Sequence, residues 1–204
     1  MNSKNIILDL DETLVHTMDV RLPTGKEGRL LTEKYKDKLY IIDTVTVNNT
    51  NQIKYEKLWG LTRPGLNEFM NFCFNNFNYV IIWSAGTERY VKDTVNRTLC
   101  DLKCPRYVFT QKDCYADEEG YLSKPISYLK SNNPELIGLD LNNTLLIDDR
   151  KSNFESEPHN GIQIPEFNPD KEDIALYDLI KWFKSNDFRR SIDVRTLNKK
   201  SIFE

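Results

Sequence analysis

Two aspartates separated by one residue, Asp9 and Asp11, follow directly on a short apolar run, residues 6–8. The run Ile-Ile-Leu is typical of a strand buried on both faces. Because residues i and i+2 of an extended chain project from one face, we expect both carboxylates to lie together at the end of that strand. Like charges this close are unfavourable unless a cation or a proton offsets them. An isolated Asp-x-Asp is more often a turn or a helix cap, so its meaning depends on the other motifs.

A second acidic pair, Asp148 and Asp149, follows another apolar run, residues 143–147. Mg²⁺ prefers octahedral oxygen ligation, and one or two protein carboxylates with waters and a substrate phosphate are enough to hold it. Two acidic clusters at two strand ends therefore predict a magnesium site, provided that the fold brings the strand ends together.

A small hydroxyl residue, Ser84, ends a third apolar run, residues 78–83, and Ala85 follows it. A helix is predicted over 88–99. A hydroxyl and backbone N–H groups before a helix N-terminus favour an anion such as phosphate. Considered alone, Ser84 or Thr87 is equally well a helix N-cap.

Single cations are weaker signals, because isolated lysines and arginines are usually solvated surface charges. Lys124 lies in Gly-Tyr-Leu-Ser-Lys-Pro, and Lys112 is a competing candidate. Arg63 precedes Pro64, which suits the first turn of a helix.

The elements that must position these residues alternate between strand and helix, which predicts right-handed crossovers and a mostly parallel sheet. Ligands bind outside the carboxyl ends of the strands in such sheets. Strands are expected at 6–8, 78–83, 106–110, 143–147 and 161–164, with helices from 66, over 88–99 and over 173–184.

The interval 17–62 is expected to be a small β insertion. Residues 39–47 and 53–61 are predicted to form a hairpin around the turn 48–51, after a turn-rich polar stretch at 22–28. The hairpin is either a surface decoration or a wall of the substrate cleft, which Tyr55 and Trp59 would line.

Composition describes an ordinary globular protein of 204 residues with 29% charged residues and a net charge of −3. That charge argues against direct nucleic-acid binding. No apolar run approaches the roughly 20 residues that a membrane span needs. The early first strand leaves no room for a signal peptide, so we expect a cytosolic or nuclear protein that is not secreted. We expect one domain over 1–188 and a basic C-terminal tail over 189–204, for which a frayed terminus is one interpretation.

The four cysteines, Cys73, Cys100, Cys104 and Cys114, contain no Cys-x-x-Cys pair. A zinc site from the last three is weakly indicated, and reduced structural thiols are predicted.

The segment Asp9-Leu-Asp-Glu-Thr-Leu-Val-His16 resembles the first motif of the haloacid dehalogenase superfamily. The similarity is greatest to its Fcp/Scp-type branch, including Dullard, whose members are phosphatases acting on the RNA polymerase II C-terminal domain. Ser84, Lys124 and Asp148-Asp149-Arg150 resemble the second, third and fourth motifs, in family order. The implied fold is a Rossmann-like α/β haloacid dehalogenase fold with helices on both faces of the sheet and no large cap domain.

The resemblance also implies residue roles. Asp9 would be the nucleophile that forms an aspartyl-phosphate, and Asp11 the general acid and base. Lys124 would offset the aspartates, with Asp148 supporting it. Mg²⁺ would be held by Asp9, the Asp11 backbone carbonyl and Asp149. The phosphate would be bound by residues of four types: Thr13, Ser84, Ala85 and Arg63. Thr13 would also position Asp9, and Arg63 would be either a phosphate ligand or a structural ligand.

The implied function is a Mg²⁺-dependent protein serine/threonine phosphatase acting on a phosphoprotein or phosphopeptide with a polymerase-tail-like sequence. A monomer is favoured. Two alternatives stay open: a small-metabolite phosphatase of the same fold, and a non-catalytic phosphoprotein-binding scaffold.

Overall fold

The structure, a computed structural model, describes residues 4–18, 25–47, 53–100 and 103–204, with backbone only for 44–47 and 53–56. The described strands are β1 Asn5–Leu8, β2 Val15–Met18, β3 Leu39–Val47, β4 Ile53–Thr62, β5 Val80–Trp83, β6 Tyr107–Phe109, β7 Tyr115–Ala116, β8 Leu122–Ser123, β9 Thr144–Asp148 and β10 Gly161–Gln163. The described α-helices are α1 Gly25–Lys34, α2 Leu66–Asn76, α3 Glu88–Thr98, α4 Ile126–Asn132, α5 Ala175–Phe183 and α6 Asn186–Arg190.

The central sheet has five strands in the order β10-β9-β1-β5-β6, and every neighbouring pair is parallel. β1 lies in the middle, with Leu8 in register with Ile82 of β5 and Ile147 of β9. The carboxyl ends of these three strands therefore meet at one edge. This confirms the predicted α/β fold.

The apolar run of β1 is buried on both faces, as predicted. Ile6 and Leu8 belong to the larger core cluster, which includes side chains of α2, α3 and α5, whereas Ile7 belongs to a second cluster that includes α4. Successive side chains of a strand point to opposite faces, so one short run anchors two helical layers.

The insertion contains more structure than the predicted hairpin. β3 and β4 do pair antiparallel, but β2 joins β4 on its other side and makes a three-stranded sheet. Part of the stretch expected to be a polar turn, 22–28, begins α1, so that prediction was wrong from residue 25 onward. The helix α1 contains few apolar residues. One of them, Leu31, packs against Trp59 and Leu61 of β4. Tertiary packing therefore supports a helix that local pattern does not signal.

The C-terminal segment is docked on the domain, and the alternative of a frayed tail was wrong. The expected boundary at residue 188 falls inside α6. Val194 and Ile202 are buried in the main core cluster, and the Val194 N–H donates to the Asn142 carbonyl at 2.8 Å.

The cysteines differ from the prediction in one respect. Cys100 and Cys104 form a disulfide, whereas Cys73 and Cys114 are free and buried. Two reduced thiols were therefore predicted correctly and two were not, because a separation of four residues carries no local signal of a disulfide. Among the described helices, none combines the length and apolarity that crossing a membrane requires.

Candidate active site

The nucleophile candidate, Asp9, lies one residue beyond β1 and is 5% exposed. Its backbone N–H donates to the Ile147 carbonyl of β9 at 2.9 Å, which continues the sheet hydrogen bonding past the strand end. The chain then turns sharply, with Glu12 in the left-handed region at a φ of 58°. That conformation is uncommon for a residue other than glycine, and it lets the chain turn back immediately into β2.

Lys124 is buried against the acidic cluster. Its Nζ donates to Asp9 Oδ1, and to Asp148 Oδ2 at 2.8 Å. Burial alone would lower the pKa of this ammonium group, but the two carboxylates raise it above its ordinary value, so it stays charged. The competing Lys112 has a side chain that is 76% exposed and pairs with Glu88, away from Asp9. The geometry therefore places Lys124, and not Lys112, with the paired carboxylates.

Asp148 is completely buried and is held by three groups. It accepts from Lys124, from Asn153 Nδ2 at 2.8 and 2.9 Å, and from the Arg150 N–H at 2.8 Å. These contacts fix both of its oxygens, and Asp148 in turn fixes the ammonium group of Lys124.

Three carboxylates, those of Asp9, Asp148 and Asp149, offer oxygen atoms that all lie within 4.8 Å of one another. Within the described residues, Lys124 is the cation that pairs with this cluster, and no ion pair reaches Asp149. Burial, together with Asp148, raises the pKa of Asp149 to about 6. A buried cluster with excess negative charge and hard oxygen donors fits a divalent cation such as Mg²⁺.

The acid candidate, Asp11, is held by two hydroxyl groups. Tyr90 of α3 donates to Asp11 Oδ1, and Ser84 Oγ donates to Asp11 Oδ2 at 3.2 Å. Burial raises the pKa of Asp11, although these hydrogen bonds oppose the shift. A raised pKa favours the protonated form, which an acid catalyst needs.

Ser84 and Ala85 lie just beyond the carboxyl end of β5. Ser84 follows β5 directly, and its Oγ accepts from the Gly86 N–H at 3.0 Å. Within the described part of the chain, the Ala85 N–H has no acceptor, so it is available to a ligand.

Thr13 Oγ1 is buried without a hydrogen-bond partner among the described residues, so no hydrogen bond joins it to Asp9. The backbone carbonyl of Thr13 has a clear role instead, because it accepts from Arg63 Nη1 at 3.0 Å.

Arg63 is a structural ligand in this geometry. Its side chain pairs bidentately with Asp173, at 2.9 Å from Nε and 2.7 Å from Nη2. The remaining N–H groups reach the carbonyls of Glu12, Thr13 and Pro165. All five donors are used, so none remains for a phosphate, and the contacts support the structural alternative.

The sequence did not predict the hydrogen bond from Tyr90 to Asp11. Tyr90 lies on the first turn of α3, where an aromatic side chain is ordinarily interpreted as core packing. No local pattern indicates that its hydroxyl meets Asp11, because the two residues are 79 positions apart.

The profile of one protein family, described as "NLI interacting factor-like phosphatase", matches residues 4–195. The chain therefore belongs to this family of phosphatases, which are phosphoric monoester hydrolases. This confirms the resemblance to the Fcp/Scp-type branch of the haloacid dehalogenase superfamily.

Curated relatives carry related names. A "Probable C-terminal domain small phosphatase" of Dictyostelium discoideum is 26% identical over 184 residues, covering 87% of this chain and 48% of that protein. "Phosphatase PSR1" of Saccharomyces cerevisiae is 25% identical over 191 residues, covering 94% of this chain and 38% of that protein. The chain thus spans about half or less of the length of these relatives.

Solved structures agree on the fold. Fission yeast RNA polymerase II CTD phosphatase Fcp1-R271A, bound to beryllium fluoride, superposes with a TM-score of 0.56 at 16% identity, over 89% of this chain and 50% of that chain. A second Fcp1 structure gives 0.57 at 18% identity, over 90% of this chain and 47% of that chain.

Proposed function

We propose that this protein is a Mg²⁺-dependent protein serine/threonine phosphatase that works through an aspartyl-phosphate. The observation that carries the proposal is the placement of Asp9. It is a buried carboxylate at the carboxyl end of the central strand, held by Lys124 and grouped with Asp148 and Asp149. Asp11, two residues further, is held separately by neutral hydroxyl groups. Two carboxylates in different environments suit two different roles.

In the first half-reaction, an Asp9 oxygen attacks phosphorus and the bond from phosphorus to the leaving oxygen breaks. Asp11, in its protonated form, gives its proton to the leaving alkoxide. Lys124 uses two of its three N–H donors on Asp9 and Asp148, so one donor is left for a phosphoryl oxygen. Ser84 Oγ and the Ala85 N–H would supply further donors to the same group.

In the second half-reaction, a water oxygen attacks the phosphorus of the aspartyl-phosphate while Asp11 takes the water's proton. The bond from Asp9 to phosphorus breaks and releases inorganic phosphate. Magnesium, held by Asp9, the Asp11 backbone carbonyl and Asp149, would supply positive charge opposite the phosphoryl oxygens.

A phosphopeptide substrate is supported by the small size of the insertion and by the names of the relatives. The described part of 17–62 forms one short helix and strands, without a large helical lid. An open cleft suits an extended peptide. Trp59, however, is 4% exposed and packs with Leu61 and Phe167, so it is not free to line a cleft. The side chain of Tyr55 lies outside the described residues. The monomeric state and the cytosolic or nuclear location stay predictions.

The proposal is tested with the purified protein on p-nitrophenyl phosphate, with Mg²⁺ and with EDTA, beside Asp9→Asn. We expect metal-dependent turnover that chelation removes and that Asp9→Asn lowers at least as far as loss of a catalytic nucleophile does elsewhere, ~10⁴-fold or more. Asp9→Asn is nearly isosteric, so a matched melting curve shows whether the variant is folded. Turnover that survives in a folded Asp9→Asn variant would rule out the aspartyl-phosphate.

Comparing kcat/KM on phosphoserine peptides and on sugar phosphates separates the proposed protein phosphatase from a small-metabolite phosphatase. We expect the peptides to be preferred. A folded protein that binds phosphopeptide without turnover would instead be the scaffold.

A further inference from the structure

A chain of hydroxyl groups runs from the β insertion to the acid candidate. Tyr40 Oη of β3 lies 2.6 Å from Thr17 Oγ1 of β2, and Thr17 Oγ1 lies 2.5 Å from Tyr90 Oη of α3. Tyr90 Oη then meets Asp11 Oδ1. Three separate elements thus converge on one carboxylate oxygen.

The carboxylate determines the direction of these hydrogen bonds. Whether Asp11 is ionised or carries its proton on Oδ2, its Oδ1 can only accept, so the Tyr90 hydroxyl must donate to it. Each hydroxyl has one proton, and therefore Thr17 donates to Tyr90 and Tyr40 donates to Thr17. Tyrosine hydroxyls stay protonated at neutral pH, which keeps the chain intact. Hydrogen bonds aligned in one direction polarise one another, so the outer members strengthen the contact at Asp11.

A glycine in the middle strand makes the chain possible. Thr17, Gly60 and Tyr40 face each other across the three strands β2, β4 and β3. A Cβ at Gly60 would come within 2.5 Å of Tyr40 Oη and 2.4 Å of the His16 carbonyl oxygen. The Tyr40 ring therefore occupies the space that a side chain of β4 would fill, and it crosses the middle strand to reach Thr17.

The two oxygens of Asp11 have different partners. Oδ1 meets Tyr90, whereas Oδ2 meets Ser84, whose single proton is also the one it would offer to a phosphoryl oxygen. When Ser84 turns to a phosphate, Oδ2 is released and Oδ1 stays held.

We propose that Tyr90, oriented by Thr17 and Tyr40, is a positioning residue that holds Asp11 by Oδ1 and leaves Oδ2 to transfer the proton to and from the substrate. The β insertion then takes part in catalysis by fixing the acid. This inference rests on the proposed phosphatase function and deepens it.

The test is the dependence of kcat/KM on the leaving group. Protonation by Asp11 matters most for an alkyl leaving group such as serine and least for an acidic phenol such as p-nitrophenol. General acid catalysis contributes ~10²–10⁴-fold, and loss of its orientation should remove part of that. We expect Tyr90→Phe to lower kcat/KM on a phosphoserine peptide by ~10-fold or more, and on p-nitrophenyl phosphate by less than ~3-fold. Tyr40→Phe should also lower kcat/KM more on the phosphoserine peptide than on p-nitrophenyl phosphate, by a smaller factor.

The matched control is Tyr79→Phe, which removes a hydroxyl that donates to the Ile137 carbonyl at 3.0 Å. Tyr79 lies just before β5, at the amino end of the strand and therefore away from Asp11. This control variant should leave both substrates unchanged. An equal loss on both substrates in folded Tyr90→Phe, or no loss on either, would overturn this inference while Asp9-dependent turnover still upheld the phosphatase. Absence of any metal-dependent turnover in the wild type would overturn both.

Discussion

Two buried cations near residues 9–13, Lys124 and Arg63, have different capacities for a ligand. Lys124 places two of its N–H groups on Asp9 and Asp148 and has a third to offer. Arg63 places all five on Asp173 and three backbone carbonyls. The number of side-chain N–H groups without an acceptor therefore distinguishes a residue that can bind a ligand from a structural one, which residue type alone does not.

Arg63→Gln should destabilise the protein by about 3–5 kcal/mol, because it leaves the carboxylate of Asp173, whose side chain is 9% exposed, without its cation. Denaturant unfolding of the variant and the wild type measures the loss. Any fall in activity should follow the unfolded fraction.

Asp173→Asn is the companion variant, since it breaks the same pair from the other side and should also be strongly destabilising. A folded Arg63→Gln protein of normal stability, but with a raised KM for phosphopeptide, would restore the phosphate-binding role that the contacts argue against.

The insertion and the catalytic loop are continuous at the scale of elements. β2 begins four residues after Asp11 and pairs with β4. This pairing places Thr17 of β2 between the hydroxyl groups of Tyr40 and Tyr90. The hairpin was expected to be either a surface decoration or a wall of the substrate cleft. The contacts add a third possibility, because hydroxyl groups of the insertion are linked to the acid candidate, Asp11, through Tyr90.

Gly60→Ala should destabilise the three-stranded sheet by about 1–3 kcal/mol, because the new methyl group would overlap Tyr40 and the His16 carbonyl. Thermal or denaturant unfolding measures this loss. Tyr40→Phe, which removes a hydroxyl without adding volume, should cost no more than about 1.5 kcal/mol. Wild-type stability in Gly60→Ala would mean that the sheet accommodates a side chain there.

The acidic cluster links stability to pH and metal at the scale of the whole molecule. The raised pKa of Asp149, about 6, lies above the value near 4 expected for an unfolded aspartate. The folded protein therefore binds more protons than the unfolded chain between these values. This contribution to stability is complete below pH ~4 and is lost as the pH rises through ~6.

We therefore expect Mg²⁺ to raise the melting temperature more at pH ~7.5 than at pH ~5, because the metal binds the ionised cluster. Differential scanning calorimetry with and without Mg²⁺ measures both shifts. Asp149→Asn should abolish the metal-dependent shift and raise the metal-free melting temperature at neutral pH. An undiminished Mg²⁺ effect in Asp149→Asn would remove this residue from the proposed site.

Much of the site was predictable from the sequence, because parallel strands bring their carboxyl ends to one edge. Asp9, Ser84 and Asp148 each follow or end an apolar run, and the order of the strands sets them side by side. Lys124 needed the family resemblance, since no local pattern distinguishes it from Lys112. The disulfide was missed because a separation of four residues does not signal pairing, and α1 was missed because the side chains that it packs against come from β4.

The sequence by itself determined the family, the mostly parallel α/β fold and the chemical types gathered at the strand ends, since these follow from apolar runs and the motifs after them. Only the tertiary structure decided which donors are already used. It pairs Arg63 with Asp173, leaves the Thr13 hydroxyl without a partner among the described residues, and brings Tyr90 to Asp11. The physical reason is that hydrogen-bond satisfaction depends on contacts between distant segments, which no local pattern contains.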